Sequence, residues 1–279
     1  MRALMTSTRP WVRWVAGVVP LAIFALAAQT AVPAHAAPPA QEPAARAAAP
    51  LRVFAAASLT EVVEALAKTF DGGPVLTSFG ASSDLARQIK DGAPADVFVS
   101  ASPEWVAFLR EADAIVGKPL VVARNALVCV APKGSPLAGN AARPGVADPR
   151  ALLERIAKGD VVAIADQGVP AGDYARKALD ELGLANDFEP RLVGQKDVRA
   201  VLHAVEQGEV TAGFVYATDA KVAKVETLFV FDPATYPPVE YHAVVLRQTT
   251  NSGLARRFFA YLASDAVRAR LSAAGFVLP

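Results

Sequence analysis

A two-lobed α/β fold is what the sequence predicts, and two observations carry the prediction. From residue 51 onward, short apolar runs of strand length alternate with stretches of helical period. That βαβα order implies mainly parallel sheets flanked by helices. The alternation continues for roughly 230 residues, more than one sheet comfortably accommodates, so two α/β lobes are expected.

Each element has its own local reason. Residues 52–57 (RVFAAA) form a short apolar run, a buried strand. A helix follows, with Val62, Val63, Leu66, Ala67 and Phe70 on one face. Residues 74–79 read as a strand, and Leu85 and Ile89 mark a short helix ended by Gly92. Residues 96–100 (DVFVS) are a strand, and Ser102-Pro103-Glu104 opens a helix with serine as cap and proline in the first turn. Residues 120–122 and 126–131 are extended, and Asp148-Pro149 opens a helix carrying Leu152, Leu153 and Ile156. Residues 161–165 form a strand, and 174–182 a helix ended by Gly183. A helix at 198–205 ends at Gly208. Strands follow at 212–216, 227–231 and 239–246. Helices with Leu254, Phe258, Phe259 and Leu262, then Val267 and Leu271, close the chain.

The first 50 residues read differently. Arg2, Arg9 and Arg13 precede an apolar run from Trp14 to Ala28, and Ala34-His35-Ala36 is a small-x-small pattern. This is the layout of a secretory signal peptide at residues 1–36, cleaved near Ala36. The run is shorter than the roughly 20 residues a membrane span needs. Residues 37–50 (APPAQEPAARAAAP) read as an Ala/Pro-rich linker. The expected mature protein is periplasmic, with 25 basic and 27 acidic residues, a net charge of −2.

Composition narrows the function. Lys+Arg 28 against Asp+Glu 27 supplies no basic face for nucleic acid. The single cysteine, Cys129, excludes an internal disulfide framework and any Cys-clustered zinc site. Three histidines, His35, His203 and His242, leave little for a His-based metal centre. The nucleophile elbow, the P-loop, the dinucleotide fingerprint and the H-E-x-x-H motif are all missing. His203 and His242 read as structural, and Asp96 as a buried hydrogen-bonding carboxylate.

In parallel sheets ligands bind at the carboxyl ends of strands, beside helix N-termini. There this chain places small and hydroxylated residues. Ser58-Leu59-Thr60-Glu61 follows the first strand, Gly80-Ala81-Ser82-Ser83-Asp84 the second, and Gly168-Val169-Pro170-Ala171-Gly172 a later one. Lys196-Asp197-Val198 opens a helix, and Tyr216 ends the strand Gly213-Phe214-Val215-Tyr216. A helix start presents unpaired N–H groups and needs no lysine or arginine to hold an anion. Each element also has a structural reading. Ser58 and Glu61 match a capping box, Ser82 and Ser83 a cap pair, and Pro170-Ala171-Gly172 a turn. Tyr216 reads equally as a core residue whose hydroxyl finds a partner.

At these residues the chain resembles a known family. The stretches 53–60 (VFAAASLT), 78–89 (SFGASSDLARQI) and 92–101 (GAPADVFVSA) resemble the periplasmic molybdate-binding proteins of ABC importers. So do Val169-Pro170-Ala171-Gly172 with Tyr174-Ala175, then Asp197-Val198-Arg199, then Gly213-Phe214-Val215-Tyr216, in the same order. The resemblance implies a type II periplasmic-binding-protein fold, two lobes joined by two crossover strands as hinge. It implies lobe I at 51–126 plus 241–279 and lobe II at 127–240. It also implies a ligand set for a tetrahedral oxyanion. Ser58 and Ser82 come from the first lobe, and Ala171, Val198 and Tyr216 from the second. The serines would offer hydroxyls and amides, Ala171 and Val198 amides, Tyr216 its phenol. Molybdenum would enter only within the oxyanion, with no cofactor. Asp84 and Asp173 lie close to the set, and both are expected to point outward.

The implied function is capture of molybdate, and tungstate with it, for a membrane permease with a separate ATPase, by a monomer. A carrier of sulfate or another tetrahedral oxyanion shares this fold. From a different class, a secreted hydrolase would use Ser58 or Ser82 as nucleophile; the missing elbow and missing partner histidine count against it.

Overall fold

The computed structural model describes residues 49–279. The expected signal peptide and residues 37–48 of the linker lie outside the described residues.

Among the described residues, ten strands fall into two five-stranded sheets. The first sheet contains β1 (Leu51–Ala56), β2 (Val75–Gly80), β3 (Val97–Ser100), β4 (Ile115–Asn125) and β10 (Val239–Leu246). The second contains β5 (Leu127–Pro132), β6 (Val162–Ala165), β7 (Leu192–Gln195), β8 (Ala212–Tyr216) and β9 (Val225–Val230). The orders are β2-β1-β3-β10-β4 and β7-β6-β8-β5-β9, which are the same topology used twice. In each sheet the first three strands are parallel and the fourth runs against them. The fifth is antiparallel to the fourth.

The helices are α1 (Thr60–Thr69), α2 (Ser82–Lys90), α3 (Pro103–Glu111), α4 (Pro149–Arg155) and α5 (Pro170–Glu181). They continue with α6 (Ala185–Phe188), α7 (Val198–Glu206), α8 (Ala217–Ala220), α9 (Ser252–Leu262) and α10 (Asp265–Ala273). Their starts follow local chemistry. Ser102, Asp148 and Asp197 each accept a backbone N–H of the helix they open, and Pro103 and Pro149 occupy first-turn positions that need no donor.

The period of two along the strands divides the core. Val97 and Val99 face the large core shared with α1 and the second sheet, while Phe98 faces a separate cluster with α2 and α3. On β10, Ala243 and Val245 join the first group and Val244 the second.

Between the sheets the chain passes twice: at Ala126, between β4 and β5, and through residues 231–238, between β9 and β10. The crossovers expected near 126–131 and 239–245 are corrected: the first passage is only the start of its run, and the second precedes 239, where β10 already belongs to the first sheet. Four elements escaped the periodicity, the short α6 just past Gly183 among them. The edge strand β7 is half exposed and carries Gly194. The first half of β4 contains Gly117, Lys118 and Pro119, which do not read as strand residues. The short α8 follows Tyr216 with no sequence cap pattern.

Candidate functional site

The carboxyl ends of β1, β2, β6, β7 and β8 converge on one narrow cavity. Ser58, Ser82, Ala171, Val198 and Tyr216 all line it. The chain therefore brings together residues from four separate helix starts and one strand end. Asp197 is the one charged residue in its lining, and among the described residues no lysine or arginine joins it.

Each helix start leaves particular amides over. On α7, Asp197 Oδ1 accepts the N–H groups of Arg199 and Ala200, both at 2.9 Å, and Val201 N–H is taken by Asp197 O. Val198 N–H is the first-turn amide that remains. Because its carboxylate is engaged in this cap, Asp197 adds backbone order at the cavity. On α5, Pro170 has no N–H and Asp173 N–H is taken by Val169 O, which leaves Ala171 and Gly172. Gly172 is required there: a Cβ would stand 2.1 Å from Ala165 O, so only glycine lets α5 start against the end of β6.

The hydroxyls are arranged as donors. Ser82 Oγ accepts Ala101 N–H at 3.0 Å, so its own proton is free. Ser58 Oγ lies 2.9 Å from Tyr241 Oη, and both residues are buried. Tyr216 is 1% exposed, and its phenol has no hydrogen-bond partner among the described residues. Burial pushes its ionisation well above the ordinary phenol range, so it remains an O–H donor. A buried hydroxyl without a partner is costly, and in a cavity of donors it marks the place of an acceptor ligand.

Several local expectations are corrected here. Ser58 is not an N-cap. Ala57–Leu59 form a 3-10 turn, α1 starts at Thr60, and no side chain caps it. Ser82 is the first residue of α2, behind an uncapped Ala81, so the serine pair is not a cap pair either. The core partner expected for the Tyr216 hydroxyl is missing among the described residues. Asp84 pairs with Arg87 at the surface, at 3.2 Å, and Asp173 turns back to accept Gly168 N–H at 2.8 Å. Burial lifts the Asp173 carboxyl above its ordinary range, against the pull of that N–H. Neither carboxylate lines the cavity. Asp96 is the buried structural carboxylate expected, accepting from Arg52 N–H at 2.7 Å and Thr249 Oγ1.

Contacts bridge the lobes around the cavity. Arg199 reaches Glu61 of α1 from the start of α7, at 2.8 Å through Nη1. Trp105 Nε1 of α3 donates to Gly168 O at 3.1 Å. Sequence reasoning did not single out Arg199, Tyr241 or Asn125. Tyr241 reads as an ordinary strand residue, and no local pattern signals its partner.

Comparison with known proteins places this geometry in a lineage. The family model described as bacterial extracellular solute-binding protein matches residues 51–277. The molybdate-binding protein ModA of Haemophilus influenzae is 38% identical over 237 residues, 82% of this chain and 91% of that protein. The chain belongs to the ModA family of solute-binding proteins. ModA of Escherichia coli is 36% identical over 218 residues, 76% of this chain and 82% of that protein. The solved periplasmic molybdate-binding protein of Azotobacter vinelandii superposes with a TM-score of 0.71 at 26% identity. That match covers 82% of this chain and 99% of the other.

Membership in the ModA family makes the chain an extracytoplasmic binding protein and not an enzyme. The hydrolase alternative is set aside by this and by the serines themselves. Among the described residues neither hydroxyl is bonded to a histidine: Ser58 meets Tyr241, and Ser82 meets Ala101 N–H. His203 is exposed on α7, and His242 lies beside Glu240 at 3.2 Å.

Proposed function

We propose that this protein captures molybdate, and tungstate with it, in the periplasm and delivers it to the permease of an ABC importer with its separate ATPase. Ser58 and Ser82 give hydroxyl and amide donors, Ala171 and Val198 amides, and Tyr216 its phenol. The export signal is cleaved near Ala36, and the mature protein acts as a monomer, in keeping with a site whose parts all come from one chain.

The observation that carries the reading is the unpartnered Tyr216 phenol in a cavity of helix starts and serine hydroxyls. Such a lining stabilises an anion through N–H and O–H dipoles, without a cation. It also selects protonation state. Molybdate, tungstate and sulfate are proton-free dianions at neutral pH, whereas phosphate carries a proton that needs an acceptor. A site of donors leaves that proton unsatisfied.

Titration calorimetry with molybdate, tungstate, sulfate and phosphate tests the proposal. Tight binding of the first two, weak binding of sulfate and none of phosphate is expected. Equal affinity for sulfate would move the assignment to a general tetrahedral-dianion carrier.

A further inference from the structure

We infer that Tyr241 is a positioning residue: it donates its phenol proton to Ser58 Oγ and so turns the Ser58 hydroxyl hydrogen toward the cavity. The inference rests on the proposed reading of Ser58 as a ligand and adds a residue outside the ligand set.

The direction of the hydrogen bonds follows from counting donors and acceptors. Asn125 Oδ1 accepts Ala126 N–H at 2.9 Å, which fixes the orientation of the amide. Its NH2 group therefore points the other way, to Thr218 Oγ1 at 2.8 Å and Tyr241 Oη at 3.2 Å. An amide NH2 donates and does not accept, so the Tyr241 oxygen is the acceptor in that bond. Among the described residues the phenol proton is left with one acceptor within reach, Ser58 Oγ at 2.9 Å. Tyr241 is 0% exposed, so solvent offers no alternative. Were Ser58 the donor instead, the phenol proton would be buried without a partner.

With its oxygen accepting from Tyr241, Ser58 keeps its own proton for the cavity it lines. Ser82 is set in the same way by the Ala101 N–H. One serine is thus oriented by backbone and the other by a side chain. Burial holds the Tyr241 phenol far above its usual ionisation range, so the donor persists across physiological pH. The chain of bonds also has a place in the fold. Asn125 ends β4 just before the first passage between lobes, Tyr241 is the third residue of β10 just after the second, and Thr218 belongs to α8 behind Tyr216.

The test is a double-mutant cycle read as molybdate affinity by calorimetry, using the parent, Tyr241→Phe, Ser58→Ala and the double variant. Melting temperatures without ligand check that each variant is folded. Tyr241→Phe keeps the ring and should weaken binding about 3- to 10-fold, the worth of one ordinary hydrogen bond. Ser58→Ala should weaken it more, and the double variant should bind no more weakly than Ser58→Ala alone. A purely structural role for Tyr241 would add its full factor in the double variant, and that result overturns the inference. So does parental affinity in Tyr241→Phe. Parental affinity in Ser58→Ala removes Ser58 as a ligand, and the inference with it, while leaving molybdate capture standing. A parent that fails to bind molybdate overturns the functional reading itself.

Discussion

Arg199 Nε stands 2.9 Å from Asp219 Oδ1, a carboxylate with no exposed surface, while the same guanidinium reaches Glu61 in the other lobe. The Nε–Oδ1 approach is close but not aligned as a hydrogen bond, so its strength is largely Coulombic. Asp219 is further held by its Oδ2, which accepts Tyr216 N–H at 3.1 Å. The pair thus ties the strand end that carries Tyr216 to the contact across the cavity.

Removing one partner of such a pair strands the other. Arg199→Ala should destabilise the protein by about 3–5 kcal/mol, the usual cost of an uncompensated buried charge. Glu61 is about half exposed, so Glu61→Gln should cost at most about 1 kcal/mol. Urea unfolding of both variants checks this; equal costs would mean that Asp219 does not depend on Arg199.

Burial is the dominant influence on Asp219 and lifts its carboxyl from 3.8 to about 6, with Arg199 pulling it back. Between those values the folded protein holds more protons here than the unfolded chain. The contribution to stability is therefore fully present below about pH 4, declines as pH rises, and levels off above about 6. The stability difference between parent and Asp219→Asn should shift against the parent over that window. A difference that stays constant from pH 4 to pH 7 would contradict it.

Tyr216→Phe separates binding from stability. Among the described residues the phenol has no partner to lose, so the ligand-free variant should be as stable as the parent or more so. Molybdate affinity should fall by about 10- to 100-fold, as for a donor to a charged group. If lobe closure follows ligand binding, the parent's radius of gyration should shrink with molybdate, and the variant's less at the same subsaturating concentration. An unchanged radius in the parent would indicate a rigid preformed pocket.

The two serines should differ in what else they cost. Each alanine variant should lose about 10- to 100-fold in molybdate affinity. Ser58→Ala removes no helix cap, but it leaves the Tyr241 proton without an acceptor, a penalty of about 1–3 kcal/mol. Ser82→Ala leaves Ala101 N–H unpaired in the same way. Thermal melts without ligand should show both losses.

Ligand should protect the fold by mass action. At about a hundredfold excess over the dissociation constant, molybdate should add roughly 2.7 kcal/mol, growing with the logarithm of concentration. Sulfate at the same concentration should add much less. Matching shifts from both anions in a thermal scan would count against molybdate selectivity.

Short-range chemistry was legible in the sequence. The alternation of strand and helix, the caps at Ser102, Asp148 and Asp197, and the small, hydroxylated strand ends all depend on residues a few positions apart. Family resemblance then picked out the five residues that the fold gathers around one cavity. What Ser58 does was decided elsewhere. Its spacing to Glu61 reads as a capping box, yet the hydroxyl meets Tyr241, 183 positions away. Asn125 and Thr218, which complete that network, are 93 positions apart. The unpaired state of the Tyr216 phenol likewise emerges only once the elements around it pack and, among the described residues, leave no acceptor beside it. Hydrogen-bond direction at a buried group is a property of everything that surrounds it, and only the tertiary structure brings those surroundings together.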